Sequence, residues 1–231
     1  MSQPVPNVRR MLRELADDLL AVLLPGRCPG CGARAEPVCE RCAASMRSPP
    51  PGRVLPGVSW SCAAFSYEGV ARELVARVKY RNERVAVRWL ARHVAQACTH
   101  SPTPFDVITW VPASGERRAA RGIDHGSLLA RAVARELGAP VTAGLRRDPG
   151  PPQTGRPAAE RRAGPALHGT RQLAGRTVLV VDDVVTTGGT LIAAARALRA
   201  CGAHDVMAAT VARTPRPGSR THDAAYTQQA V

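Results

Sequence analysis

The sequence predicts an α/β fold, in which a parallel sheet is flanked by helices and preceded by a small N-terminal module with four cysteines. Apolar runs of strand length alternate with amphipathic segments of helix length along most of the chain. The run 178–181 is apolar without interruption and rich in β-branched residues, which is typical of a central strand covered on both faces. With 45% hydrophobic and 3% aromatic residues, the 231-residue chain can bury a mainly aliphatic core.

The chain divides into four predicted parts and a linker. Residues 1–24 are predicted to form an N-terminal helix, because leucines recur at helical spacing and Pro25-Gly26 ends the pattern. The cysteine module covers residues 25–47, and the Pro-rich run 48–57 is predicted to be a linker or an extended crossing. The main domain covers residues 58–213, and residues 214–231 are predicted to be a disordered tail.

The elements of the main domain follow from its hydrophobic periods. A first strand is followed by two helices whose apolar residues recur every three to four positions. A buried strand and a helix that ends at a glycine come next, and a strand, a helix and a strand complete the domain. The predicted strands are 60–67, 106–114, 177–183 and 205–213, and the predicted helices are 69–82, 85–98, 126–138 and 190–203.

Four of the seven cysteines lie in two C-x2-C pairs separated by seven residues: Cys28, Cys31, Cys39 and Cys42. Four thiolates at this spacing are typical of a tetrahedral Zn²⁺ site, and the metal would stabilise a segment too short for a hydrophobic core. Two redox C-x-x-C motifs, or thiols without a shared role, are the alternatives. Arginines around the module leave open whether it contacts nucleic acid or serves only as a structural brace.

The stretch "VLVVDDVVTTGGT", residues 178–190, carries the main functional signal. Asp182 and Asp183 follow the apolar run, at the carboxyl end of a parallel strand, where ligands bind in open α/β sheets. The glycine turn after them opens a helix, and amide N–H groups at a helix start suit a phosphate, whereas the acids suit sugar hydroxyls or a hydrated Mg²⁺ ion. The stretch therefore predicts a site for a phosphorylated sugar. An ordinary turn with an Asp cap would explain neither the second acid nor the three threonines.

This stretch resembles the signature of the type I phosphoribosyltransferases, which bind phosphoribosyl pyrophosphate (PRPP) together with Mg²⁺. The resemblance implies the fold of that family for the main domain. It implies that Asp182 and Asp183 are the catalytic acids and bind the ribose 2′- and 3′-hydroxyls. It also implies that five residues wrap the 5′-phosphate: Thr186, Thr187, Gly188, Gly189 and Thr190.

Other stretches are similar to the ComF family, whose members are linked to DNA uptake during natural competence. They are the four-cysteine cluster, "YEGVARELVARVKYRN", "VPASGERRAARGIDHG" and "PPQTGRPAAERRAG", and they occur in that order. The resemblance covers roughly residues 28–213. Within the third stretch, Ser114 and Gly115 replace the usual His-Pro pair and residues 123–125 replace Phe-Asn-Gln, while Arg117 and Arg121 are kept.

By the resemblance, the turn with Arg117, Arg118 and Arg121 is the pyrophosphate-binding loop. Guanidinium groups suit phosphate oxygens because each presents several N–H donors in one plane. A solvated basic turn is the alternative, since arginine is common in this chain. The segment 146–164 lies where these enzymes carry a mobile hood that excludes water, and a disordered basic linker is the alternative there.

Two functions of different classes follow. In the first, the chain is a phosphoribosyltransferase that binds PRPP with Mg²⁺ and transfers the phosphoribosyl group to an unknown acceptor, which we expect to be nitrogenous because no general base is evident. In the second, the fold binds PRPP or a nucleotide without turnover and holds single-stranded DNA, although few aromatic residues are present to stack on bases. A scaffold for the competence machinery is a third alternative.

The net charge of +14 fits a polyanionic partner, and it equally fits the arginine bias of a GC-rich genome. No secretory signal is evident, and no apolar run approaches the roughly 20 residues of a membrane span. We therefore expect a cytoplasmic protein with reduced cysteines and a zinc ion rather than disulfides. The sequence does not predict the oligomeric state.

Overall fold

The computed structural model describes residues 26–35, 37–81, 84–113, 124–147, 165–169, 173 and 175–215. Contacts divide the chain into two compact units, Met1–Ser45 and Met46–Val231. The Pro-rich run 48–57 therefore belongs to the second unit. The predicted N-terminal helix lies outside the described residues, and so does the predicted tail from residue 216 onward.

The described part of the first unit is a cysteine-bearing turn and a short helix, α1 (Glu40–Ala44). The turn closes through a hydrogen bond of 2.9 Å from the Gly32 amide to the Cys28 carbonyl. Gly32 has a φ of 73°, a left-handed conformation that favours a residue without Cβ. Cys39 precedes α1 as its N-cap, and Cys42 lies within the helix.

The second unit is an α/β structure whose main elements occur in the predicted order. In chain order they are β1 (Trp60–Ser66), α2 (Gly69–Arg81), α3 (Arg84–Cys98), β2 (Val107–Trp110), α4 (His125–Leu137), β3 (Leu145–Arg147), β4 (Leu167–Gly169), β5 (Thr177–Val185), α5 (Gly189–Ala200) and β6 (Asp205–Arg213). No helix within the described ranges combines the length and the apolarity that are needed to cross a lipid bilayer.

Four parallel strands form the main sheet in the order β1-β6-β5-β2. Val178 and Val180 of β5 belong to the apolar cluster that contains the buried face of α5. Leu179 and Val181 alternate to the opposite face, and all four side chains are at most 1% exposed. Both faces of β5 are covered, as its unbroken apolar run predicts, and the predicted parallel sheet flanked by helices is confirmed.

Several element boundaries differ from the predicted ones. β2 ends at Trp110 rather than at residue 114, because Pro112 has no N–H with which to continue the ladder. β5 continues to Val185, so that both acids lie within the strand rather than at its end. α5 ends at Ala200, since the chain then turns through Gly202, which has a φ of 88°.

An antiparallel pair, β3 and β4, is present that the sequence analysis does not predict. Each strand has only three residues, which is too few for a period of two to stand out. Arg147 of β3 pairs with Leu167 of β4, so the two ends of the predicted hood segment lie side by side. Residues 148–164 of that segment lie outside the described residues.

Candidate functional site

Asp182 and Asp183 lie next to each other in the last third of β5, in the interior of the main sheet. The Asp183 amide donates to Oδ1 of Asp182 over 2.9 Å, so the backbone itself holds the first acid. Oδ2 of Asp183 lies 2.6 Å from Nζ of Lys79, a residue of α2. The two acids are therefore adjacent in the strand, and a cation lies directly beside Asp183.

The surroundings of Asp182 favour the neutral form of its carboxyl group. Burial, followed by the neighbouring charge of Asp183, raises the pKa of Asp182 from 3.8 to about 7. The Asp183 amide, the Lys79 ammonium and the Arg147 guanidinium act in the opposite direction and limit the rise. Near neutral pH, Asp182 can consequently both donate a hydrogen bond to a hydroxyl group and accept one from it.

Lys79 is a site residue that the sequence analysis does not assign. It is the only lysine among the 32 Lys and Arg residues of the chain. Its side chain is 24% exposed, and that of its partner Asp183 is 39% exposed. A single lysine in an arginine-rich chain is the sequence signal that could have identified it, because an ammonium group supplies a compact point charge where a planar guanidinium does not.

The turn after β5 is exposed at its two threonines, is buried at its two glycines and leads directly into α5. Thr186 and Thr187 are exposed, and Gly188 is the N-cap of α5 with a φ of 83°. The left-handed backbone favours glycine here, and a Cβ would also displace the end of the Leu55 side chain. The predicted phosphate-binding residues 186–190 therefore lie together, directly after the acid pair.

A pocket opens beside this turn. Thr186 and Thr187 line it together with two arginines that the sequence analysis does not single out, Arg53 and Arg213. Arg53 comes from the Pro-rich run and Arg213 ends β6. Because both are far from the turn along the chain, only the fold brings them to it.

The predicted pyrophosphate-binding residues lie outside the described residues: Arg117, Arg118 and Arg121. The structure does describe both ends of their loop. Trp110, at the end of β2, donates from Nε1 to Oδ2 of Asp124 over 3.1 Å, and Asp124 is the N-cap of α4. The loop thus begins and ends at the carboxyl end of β2, the strand that pairs with β5.

Arg147, near the start of the predicted hood segment, is close enough to the acid pair to act on it electrostatically. Arg147, the last residue of β3, acts on Asp182 through its charge. Arg147 pairs with Leu167, so described residues on either side of the range 148–164 lie next to each other.

The four cysteines of the first unit form a cluster in which all sulfur atoms lie within 4.8 Å of one another. Tetrahedral Zn²⁺ with bonds of about 2.3 Å requires sulfurs roughly 3.8 Å apart, and those of Cys31 and Cys39 are 3.6 Å apart. Burial opposes ionisation of Cys28, but the backbone amides of Cys39, Cys31 and Gly30 outweigh it and lower the pKa of Cys28 to about 6. This donor set fits zinc.

Comparison with known proteins finds a family match for the region around the acid pair. Residues 122–228 match the phosphoribosyl transferase domain. An adenine phosphoribosyltransferase of Rhodococcus jostii is 40% identical over 100 residues, which are 42% of this chain and 56% of the relative. An orotate phosphoribosyltransferase of a Nocardioides species is 45% identical over 69 residues, which are 27% of this chain and 38% of the relative.

A ribose-phosphate pyrophosphokinase of Halalkalibacterium halodurans is 27% identical over 154 residues, which are 63% of this chain and 46% of the relative. The chain spans about half the length of these relatives, between 38% and 56%. The matched range contains β5, the turn 186–190 and α5. The region of this chain that is similar to the phosphoribosyl transferase domain therefore includes both the acid pair and the turn 186–190.

Proposed function

We propose that this chain is a phosphoribosyltransferase similar to the ComF family, which binds PRPP with Mg²⁺ and transfers the phosphoribosyl group to a nitrogenous acceptor. The observation that carries the proposal is the continuous strand, turn and helix in which Asp182 and Asp183 precede the turn 186–190. The match of residues 122–228 to the phosphoribosyl transferase domain supports it. We also propose that the protein is cytoplasmic and that it acts in DNA uptake.

In this proposal three groups of residues hold the substrate. The amides and hydroxyls of residues 186–190 bind the 5′-phosphate at the positive end of the α5 dipole. The carboxyls of Asp182 and Asp183 bind the ribose 2′- and 3′-hydroxyls. The three arginines between residues 117 and 121 bind the pyrophosphate, whose charge Mg²⁺ neutralises.

Transfer breaks the bond from ribose C1 to the pyrophosphate oxygen and forms a bond from C1 to the acceptor nitrogen. The electron pair leaves with pyrophosphate, and the acceptor proton passes to solvent. Positive charge develops on the ribose ring as the bond breaks, and carboxylates held close to the ring stabilise it. The Lys79 ammonium, 2.6 Å from Asp183, balances the charge of that carboxylate when no substrate is bound.

We also propose that Cys28, Cys31, Cys39 and Cys42 hold one structural Zn²⁺ ion. The metal would join the turn of the first cysteine pair to α1, and it would stabilise a unit whose described residues form little apolar core. Its contribution is to folding, since the four sulfurs leave no open coordination position for chemistry.

Ligand-dependent melting tests the sugar-phosphate site. PRPP with Mg²⁺ should raise the melting temperature of the wild-type chain, because a ligand that binds only the folded state stabilises it. The double variant Asp182→Asn, Asp183→Asn should lose this shift. Asp205→Asn, which changes an acid at the amino end of β6, should keep it. A wild-type chain that shows no shift would contradict the proposal.

Pyrophosphate release in the presence of single nitrogenous bases tests catalysis and identifies the acceptor. A base-dependent release that the double variant lacks supports a transferase. The net charge of +14 favours a second candidate, a non-catalytic module that holds single-stranded DNA during uptake. Binding of single-stranded DNA that is salt-sensitive and unaffected in the double variant, without pyrophosphate release under any condition, would support that module instead.

A further inference from the structure

Arg213 is a buried cation that has no acidic partner among the described residues. It is 8% exposed, and its guanidinium donates to the Pro50 carbonyl over 3.0 Å and to the Ser61 hydroxyl over 3.4 Å. Both acceptors are neutral. Burial lowers the pKa of Arg213 and the charge of Arg53 lowers it further, whereas Cys62 acts in the opposite direction. A buried guanidinium that faces a second cation leaves positive charge uncompensated.

The Pro-rich run is held at two points, and Arg53 lies between them. On one side, the backbone at Gly52 lies against Arg213, since a Cβ there would be 3.4 Å from Nη1 of the guanidinium. On the other side, Leu55 is 6% exposed and packs against Gly188 of the phosphate turn. The exposed Arg53 is therefore attached to a fixed piece of backbone beside the turn rather than to a free linker.

The pocket that both arginines line combines cationic, hydroxyl-bearing and apolar residues. Its hydroxyl-bearing lining residues are Thr186, Thr187, Ser61 and Thr210, and its apolar lining residues are Leu55, Cys62, Val185 and Leu191. None of the described residues that line it is acidic. Two guanidinium groups and several hydroxyls suit a phosphate monoester, which carries close to two negative charges and presents three terminal oxygens.

We propose that Arg53 and Arg213 form, together with Thr186 and Thr187, a binding site for the terminal phosphate of a sugar phosphate monoester. The inference rests on the proposed function, because the phosphate would be the 5′-phosphate of the phosphoribosyl ligand. The turn 186–190 contains no cationic residue, so its amides and hydroxyls alone would face a dianion. The Pro-rich run and the end of β6 supply the missing charge, and the run is part of the binding site rather than a passive connection.

Calorimetric titration of the full chain with ribose 5-phosphate tests this site. Arg53→Gln should weaken binding about tenfold or more, since it removes a cationic hydrogen-bond donor to the phosphate. Arg213→Gln should weaken it at least as much. Arg176→Gln is the matched control, because Arg176 is exposed at the amino end of β5 and should leave the affinity unchanged. Raising the salt concentration should weaken binding to the wild type more than to Arg53→Gln.

Arg53 is exposed, so Arg53→Gln decides the question even where Arg213→Gln fails to fold. Equal affinity of the wild type and Arg53→Gln for ribose 5-phosphate would overturn the inference. Tighter binding of inorganic phosphate than of ribose 5-phosphate, with both weakened in Arg53→Gln, would assign the pocket to free phosphate and overturn its assignment to a sugar phosphate.

A parallel titration with Mg²⁺ and PRPP separates this inference from the proposed function. If PRPP binds and Arg53→Gln does not weaken it, the arginine site fails while the proposed function stands. If ribose 5-phosphate binds through Arg53 but PRPP is neither bound nor cleaved, the arginine site stands and the proposed function fails.

Discussion

Replacing Asp182 by asparagine should make the free protein more stable at pH 8 and at the same time remove its response to PRPP. Asparagine has nearly the same shape, and its Oδ1 can still accept the hydrogen bond that the Asp183 amide donates over 2.9 Å. It has no ionised form, however, and so avoids placing a second negative charge beside Asp183. The change therefore measures two effects separately: the loss of folding stability caused by the ionised carboxylate, and the contribution of this carboxylate to PRPP binding.

The sign and size follow from the pKa of Asp182, which rises from 3.8 to about 7 in the folded chain. Below about pH 4, the carboxyl is neutral in both the folded and the unfolded chain. As pH rises from about 4 to about 7, only the unfolded chain loses the proton, so the stability that Asp182 contributes falls. The full difference is about 4 kcal/mol at 1.36 kcal/mol per pH unit, and solvent that reaches the half-buried carboxyl reduces it to about 2 kcal/mol.

Thermal melting at pH 5 and at pH 8, with and without PRPP and Mg²⁺, measures both effects. At pH 8, a gain of about 2 kcal/mol corresponds to roughly 4–8 °C for a chain of this size. The gain should be much smaller at pH 5, and PRPP should raise the melting temperature of the wild type only. Asp205→Asn is a control in which the stability should change in the opposite direction. Burial alone would raise the pKa of Asp205, but the Ser59 hydroxyl, the Val206 amide and Arg199 outweigh it and lower the pKa, so the ionised form stabilises the folded chain. An Asp182→Asn variant that is equally destabilised at both pH values would refute this reasoning.

Three further changes test other contacts. Gly188→Ala should lower the free energy of unfolding by about 1–3 kcal/mol, and adding Leu55→Ala should cost less than the sum of the two single changes in urea unfolding, because the residues are in contact. Lys79→Met should cost about 0.5–1 kcal/mol in urea at pH 8, since it removes the partner of a partly exposed carboxylate, and Lys79→Arg should retain most of the stability. Cys31→Ser should reduce the zinc content of the purified protein from about one ion per chain to near zero by elemental analysis, while Cys62→Ser, outside the cluster, should retain the metal.

Each of these three tests has an outcome that contradicts the structure. Additive costs at Gly188 and Leu55 would mean that the Pro-rich run does not touch the phosphate turn. If Lys79→Met has unchanged stability at low salt, Lys79 and Asp183 do not form an ion pair in the site. Full zinc content in Cys31→Ser would exclude a four-sulfur centre.

The strands and helices that the sequence analysis predicts well are those with a strong local hydrophobic signal, either an unbroken apolar run or a helical period. The central strand β5 is recognisable because four consecutive apolar residues precede the acids, and β6 has the predicted bounds, Asp205–Arg213. The glycine expected to end α4 is Gly138, which has a φ of 63°. Such local rules depend on neighbouring residues alone, so a single sequence is sufficient to apply them.

Elements that depend on distant partners were not predictable in this way. β3 and β4 form a pair across a long segment, and nothing within either three-residue strand indicates its partner. The Pro-rich run 48–57 was predicted to be a linker or an extended crossing, yet Leu55 belongs to the apolar cluster around α5. Its burial depends on a surface that other parts of the chain create.

By itself, the sequence determined the α/β class, the order of the main strands and helices, the spacing of the four cysteines, and the contiguous acids and turn of residues 182–190. These features are local, since hydrophobic period, ligand spacing and glycine turns act over a few residues. Only the tertiary structure decided that Lys79 meets Asp183, that Leu55 covers Gly188, and that Arg53 and Arg213 share one pocket with the turn. Charges and contacts between distant residues depend on separation in space, which the chain acquires when the sheet assembles.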